Sequence, residues 1–287
     1  MKLRQIGKVV LFFSLLKFTS INAQKSTTMP VFFISNATPK ILLGENEHTT
    51  KIKELIHEIP EMPKAILVIS SNWVSSGIFV TAAYNPHIMH DFKGIDSAFY
   101  QIKYPIQGAP DIAQQIANTI KMPACQGDID RGIDYSAWSI ARLLYPEGNL
   151  PIIQLSVNQF MPPISHWSLG EKLRFLREKG VLIICSGTIV NNPKMMNFKD
   201  KNVLPYQWAT TFQNFVQKEM YKNDLSVLFD YKKRGKPASL SVPVSTNLMP
   251  LFTSLGLQNK NDDIKIINTK IELASVSLFS FVIKPNN

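Results

Sequence analysis

Ala65-Ile66-Leu67-Val68-Ile69-Ser70-Ser71-Asn72-Trp73 is an apolar run that turns polar at its end. A strand covered on both faces reads this way, because neither side has solvent to alternate with. Val31 to Ser35, Ile152 to Val157 and Val181 to Ile184 have the same character. Ile78 to Ala83, Ile264 to Ile267 and Val276 to Val282 are further predicted strands. Segments with helical spacing lie between them: Lys51 to Ile59, Asp111 to Lys121, Ala137 to Leu144, Trp167 to Lys179, Gln207 to Tyr221 and Leu248 to Leu255. This alternation predicts a single α/β domain with a mixed or mainly parallel central sheet and helices on both faces. Asn36, Asn72 and Asn191 stand at or just past the C-terminal ends of predicted strands, where sites gather in open α/β sheets. Lys194 to Pro205 reads as a polar loop over the same crevice.

The first residues form a separate element. Lys2, Arg4 and Lys8 precede an apolar run from Val9 to Leu16, and a short polar stretch ends at Ile21-Asn22-Ala23-Gln24. That order is the order of a secretory signal peptide, and the run is too short to span a bilayer. The expectation is a signal peptide over 1–23, cleavage near Ala23, and an exported, periplasmic or secreted protein. The rest, 24–287, is expected to be one domain with its core at about 30–282, without a transmembrane segment. The four positive charges of the leader reduce the formal excess from +10 to a mildly basic value. No basic stripe is interleaved with aromatics, so nucleic acid is not an expected partner. Export permits a disulfide. Cys185 nevertheless sits in a buried-strand pattern, and two unpaired thiols, Cys125 and Cys185, are expected.

Five segments carry the functional signal. They are Ser35-Asn36-Ala37-Thr38-Pro39, Ser70-Ser71-Asn72-Trp73, Asp134-Tyr135-Ser136-Ala137-Trp138, Ser186 to Asn192, and Ser245-Thr246-Asn247. Together they resemble motifs of the class III extradiol ring-cleavage dioxygenases, in the branch that includes DOPA 4,5-dioxygenase. In that branch the segments read Gly-His-Gly-Ser-Pro, Ser-x-His-Trp, Asp-His-Gly-x-Trp, a stretch ending Val-His-Asn, and a His shortly before a Leu-Pro-Leu helix. Here each expected His is replaced, by Asn36, Asn72, Tyr135, Asn191 and Asn247. Between them the resemblance stays close, in His90-Asp91-Phe92-Lys93-Gly94-Ile95, in Lys103-Tyr104-Pro105 with Gly108-Ala109-Pro110, and in His166 to Gly180.

The resemblance implies a metal enzyme that uses Fe(II) or Zn(II) to hold a catechol, with a further His as acid and base. It puts Asn36, Asn72, Asn191 and Asn247 at the metal-ligand positions and Tyr135 at the catalytic position. It also places His90 and Asp91 at the substrate, His90 with a possible residual catalytic role. An amide oxygen is a weak, hard ligand, and a phenol titrating near pH ~10 is a poor base at neutrality. Asn side chains can instead hydrogen-bond one another and keep a vacated site polar. No cofactor is expected. The leading reading is an exported homologue that has lost its metal site and activity and keeps a pocket for a small aromatic ligand. One alternative is an active dioxygenase with rearranged ligands, drawing on His90, His87 or a nearby carboxylate and acting on a catechol such as DOPA. Another is a structural or partner-binding protein with a closed pocket. No oligomeric state is assigned.

Overall fold

The computed structural model describes residues 27–199 and 203–286. The expected signal peptide, 1–23, lies outside them. Among the described residues ten strands are formed: β1 Val31–Ser35, β2 Ala65–Ser75, β3 Ile78–Thr81, β4 Cys125–Asp128, β5 Ile152–Asn158, β6 Val181–Gly187, β7 Asp262–Asn268, β8 Ile271–Glu272, β9 Val276–Ser277 and β10 Ser280–Pro285. Eight build one sheet in the order β4-β3-β5-β2-β6-β1-β10-β7, and β8 pairs with β9 alone. The centre, β5-β2-β6-β1, is parallel, while β3 runs against β5, β10 against β1 and β7 against β10. A mainly parallel mixed sheet is thus observed.

Side-chain alternation explains the layers. Along β1, Val31 and Phe33 enter one core, and Phe32 and Ile34 the other. Leu67 and Ile183 follow the first pair, and Ile66 and Ile184 the second. Both faces must therefore be covered by helices. The helices are α1 Pro39–Leu43, α2 Glu47–Glu54, α3 Pro110–Thr119, α4 Tyr135–Leu144, α5 Pro163–Leu173, α6 Phe175–Glu178, α7 Gln207–Glu219, α8 Ser226–Phe229, α9 Lys236–Ser241 and α10 Met249–Gly256. Helices α1, α2 and α4 pack on one face, and α3 with α5 to α10 on the other. Among the described residues no helix is long and apolar enough to cross a membrane.

Several boundaries differ from the sequence expectation. The helix expected from Lys51 starts earlier, at an Asn46 capping box, and its end tightens into a 3-10 turn, Leu55–Glu58. The helix expected from Trp167 starts at Pro163, which tolerates a first-turn position, and α5 gives way to α6 at Arg174. Val276 to Val282 is two strands, because the chain leaves β8 to reach β1. Cys125 and Cys185 are free and buried, and burial pushes the Cys125 thiol up to about 12.

His166 is buried against α10's layer, with Nε2 3.1 Å from the Asn158 carbonyl and Nδ1 without a partner. Burial lowers its pKa to about 4, despite the opposing carbonyl. The unfolded chain therefore takes up this proton near its ordinary value of ~6.5, before the folded chain does. Stability contributed by neutral His166 is complete above that value and is lost as pH falls toward 4, by up to about 3 kcal/mol. His166→Gln is expected to flatten the stability profile across that window in urea titrations. An unchanged slope in the variant would assign the acid loss to other groups.

Candidate functional site

The rim of the parallel sheet is assembled from five chain segments. Asn36 follows β1, and its N–H donates to the Gly187 carbonyl at the end of β6, 3.2 Å away. Ser70 on β2 registers with Ser186 on β6; Asn72, expected past the strand end, lies inside β2 just beyond that pairing, where the register of β2 on β5 shifts between Ile69 and Val74. Asn36 Nδ2 donates to Ser71 Oγ at 3.0 Å and to Asn72 Oδ1 at 3.4 Å. The Tyr135 phenol lies beside the Asn72 amide without forming a well-aligned hydrogen bond, and Asn72 Nδ2 is left without a partner. Asn36, Asn72 and Tyr135 are thereby brought together.

Asn191 and Asn247 reach this rim through their backbones. The Asn247 carbonyl accepts from Thr188 N at 2.9 Å, immediately after β6. A side chain at Gly187 would place its Cβ 2.6 Å from that carbonyl, so only glycine allows the approach. The 3-10 turn that carries Asn247, Ser245–Leu248, also touches β2. Asn191 bridges Val276, and Val276 packs against Ala37, the neighbour of Asn36. Asn191 Oδ1 and Thr188 Oγ1 are buried without partners.

A polar layer beneath the rim fixes these positions. Asp134 caps α4, accepting from Ala137 N at 3.0 Å and from Ser136 Oγ at 2.9 Å. The Ser136 hydroxyl in turn meets Ser70 Oγ at 2.9 Å and Ser186 Oγ at 3.2 Å, tying α4 to the middle of β2 and the end of β6. Gln154 on β5 donates to the other Asp134 oxygen and accepts from Asp134 N at 3.1 Å. Asp91 Oδ1 accepts from Tyr135 N at 2.8 Å. Two carboxylates thus face the N-terminus of α4, where the helix dipole favours negative charge. Burial and the Asp134 charge raise the Asp91 carboxyl above its ordinary value, partly offset by the Tyr135 N–H.

Tyr135 heads α4 and is buried; burial pushes its phenol well above the ordinary value, with the Asn72 amide pulling the other way. It is a hydrogen-bonding group at neutral pH and not a base. His90 is one ring removed, edge-on to Phe92, which in turn meets Tyr135 at 5.7 Å. His90 Nε2 lies 3.0 Å from the Ile102 carbonyl, and the ring also packs on Trp138. His90 is therefore held as part of an aromatic wall.

Two supporting residues carry no sequence signal of their own. Ser71 is one, through its bond to Asn36. His48 is the other: Nε2 lies 2.9 Å from the Ser35 carbonyl and Nδ1 3.2 Å from Asn268 Nδ2. The amide nitrogen can only donate, so Nδ1 accepts, Nε2–H donates to the Ser35 carbonyl and the ring is neutral; burial lowers its pKa. Ala37 adopts φ 43, a left-handed backbone that costs a non-glycine residue ~1–2 kcal/mol.

The donor set decides what this rim can hold. Among the described residues no three His, Cys, Asp or Glu side chains are grouped to hold a metal ion. Asn36 and Asn72 supply neutral amides, Ser71 a hydroxyl and Tyr135 a protonated phenol. These groups hydrogen-bond well and do not fit Fe(II) or Zn(II), which favour imidazole and carboxylate.

Comparison with known proteins covers nearly the whole chain. A family model described as the catalytic LigB subunit of aromatic ring-opening dioxygenase matches residues 30–276. The 4,5-DOPA dioxygenase extradiol of Escherichia coli (strain K12) is 31% identical over 262 residues, 89% of this chain and 94% of that protein. The 4,5-DOPA dioxygenase extradiol of Beta vulgaris is 28% identical over 255 residues, 87% of this chain and 94% of its own. The crystal structure of an uncharacterized Escherichia coli K12 protein superposes with a TM-score of 0.76 at 28% identity, over 89% of this chain and 99% of that one.

Proposed function

The chain belongs to the LigB family of aromatic ring-opening dioxygenases, and we propose that it is a member without a metal site or ring-cleaving activity, retaining a pocket for a small aromatic ligand. The observation that carries this reading is the Asn36–Ser71 and Asn36–Asn72 contacts, with the Tyr135 phenol beside Asn72. The Asn36 amide, which would have to stay free for an ion, is instead engaged by Ser71 and Asn72. Neutral amides also avoid the charge cost that bare carboxylates would impose on a metal-free rim. Tyr135, protonated at neutral pH, offers an aromatic ligand a hydroxyl and an aromatic edge. The carboxylates beside it are engaged elsewhere: Asp91 Oδ1 accepts from Tyr135 N, and the Asp134 oxygens accept from the start of α4 and from Gln154.

The relatives' names favour a second reading, an active dioxygenase with displaced ligands. His90 and His87 are its candidates, but His90 Nε2 is engaged by the Ile102 carbonyl. The two readings separate in one assay. The purified protein is loaded anaerobically with ferrous iron, then given oxygen and DOPA. We expect no coloured ring-cleavage product above the metal-free control. Product formation in proportion to added iron would establish the second reading. Export after cleavage near Ala23 completes the proposal. An exported fraction whose intact mass retains residues 1–23 would remove that part of it.

A further inference from the structure

A groove of about 830 Å³ opens beside the rim, between α1, the loop at Lys93 and the turn after β8. It starts at Thr38, and none of Asn36, Asn72, Tyr135, Asn191 or Asn247 lines it. Its size suits a small molecule. Ile41, Ile95 and Leu273 give it apolar walls. Lys40 and Lys93 stand at its rim, exposed and without an ion-pair partner among the described residues. The third lysine, Lys270, is already matched by Glu272 at 2.9 Å and Glu47 at 3.7 Å. Among the described residues, these two ammonium groups are the lining charges without an ion-pair partner.

One wall is held in an unfavourable backbone shape. Leu273 and Ala274 have φ 52 and 63, left-handed values that side-chain-bearing residues avoid. Asn197 N donates to the Leu273 carbonyl and Tyr206 N to the Ala274 carbonyl, each at 3.0 Å, and so pin the turn. Strain retained in this way concentrates at ligand clamps. We propose that the groove binds a small carboxylate with an apolar body. Lys40 and Lys93 hold the carboxylate, and Ile41, Ile95 and Leu273 take the body. An apolar anion matches both features at once, whereas a polyol would leave the walls wet and a cation would meet repulsion.

The site is separate from the amide cluster, so its failure leaves the metal-site reading standing, and the reverse also holds. The test titrates the purified protein calorimetrically with 2-naphthoate and with neutral 2-naphthalenemethanol. Naphthoate is expected to bind about tenfold more tightly than the alcohol, the scale of two rim-exposed charge contacts. That advantage should shrink in about 0.5 M salt. It should vanish in the Lys40→Met/Lys93→Met variant, whose melting temperature should match the wild type. Ile95→Glu should weaken both probes. Equal affinity for the two probes, no binding of either, or an advantage surviving in the double lysine variant would overturn the proposal.

Discussion

Replacing Asp262 by alanine is expected to destabilise the folded chain by about 3–5 kcal/mol. Arg177, at the end of α6, is fully buried, and its Nη1 lies 2.5 Å from Asp262 Oδ2. Its Nε donates to the Met29 carbonyl at 2.7 Å and its Nη1 to the Leu257 carbonyl at 2.9 Å. One guanidinium thus joins the segment before β1, the end of α10 and the start of β7. Taking the carboxylate away leaves a charge in the interior with carbonyl dipoles alone, and Asn259 N also loses its acceptor at 2.6 Å. Asp262→Asn keeps an acceptor but no charge, and should cost less than the alanine variant. Urea unfolding measures both. A loss below about 1 kcal/mol for alanine would mean that the carbonyls suffice, at odds with the usual cost of an uncompensated buried ion.

Restoring histidine at Asn36, Asn72, Asn191 and Asn247 together is expected to raise zinc affinity by ~100-fold or more, since outer partners alone shift affinity ~10–100-fold and here the ligands themselves change. The Asn36 and Asn72 side chains already meet at 3.4 Å, so two imidazoles there point at one volume. Asn247 is tied to the end of β6 through Thr188, and Asn191 to Val276, which packs against Ala37 after β1. Turnover should require Tyr135→His in addition, because a phenol raised by burial does not accept a proton at neutral pH. A quadruple variant with the wild-type circular dichroism spectrum and no gain in zinc affinity would show that these four positions do not share a site.

The fold was legible where burial is two-sided. β2 is apolar from Ala65 to Ile69 and β6 from Val181 to Cys185 because both sheet faces are covered, and a run of that kind stands out from any amphipathic helix. The β4 strand, Cys125–Asp128, was not legible: it is short, contains Gly127 and lies at the sheet edge, where little burial shapes composition. The meeting of Asn36 with Asn72 follows from their places near the C-terminal ends of β1 and β2, which flank β6. The Ser70–Ser136–Ser186 layer and the Asp134–Gln154 pair join residues far apart in sequence, and a serine or glutamine in a strand carries no periodic signal. His90 illustrates the limit of a motif. Its segment was read as bordering the site, but its ring nitrogen is held by Ile102, a contact set by loop geometry. The groove at Lys40 and Lys93 was equally hidden, because it is walled by a strained turn that no composition announces.

The central claim is that the amide cluster holds no catalytic metal. Its most direct test is elemental analysis of the unmodified chain, expressed in medium supplemented with iron and zinc and purified without chelators. The purified chain is expected to carry no iron or zinc above the level of a protein known to bind neither. Iron or zinc approaching one ion per chain, lost when Asn36 and Asn72 are both changed to alanine, would contradict it.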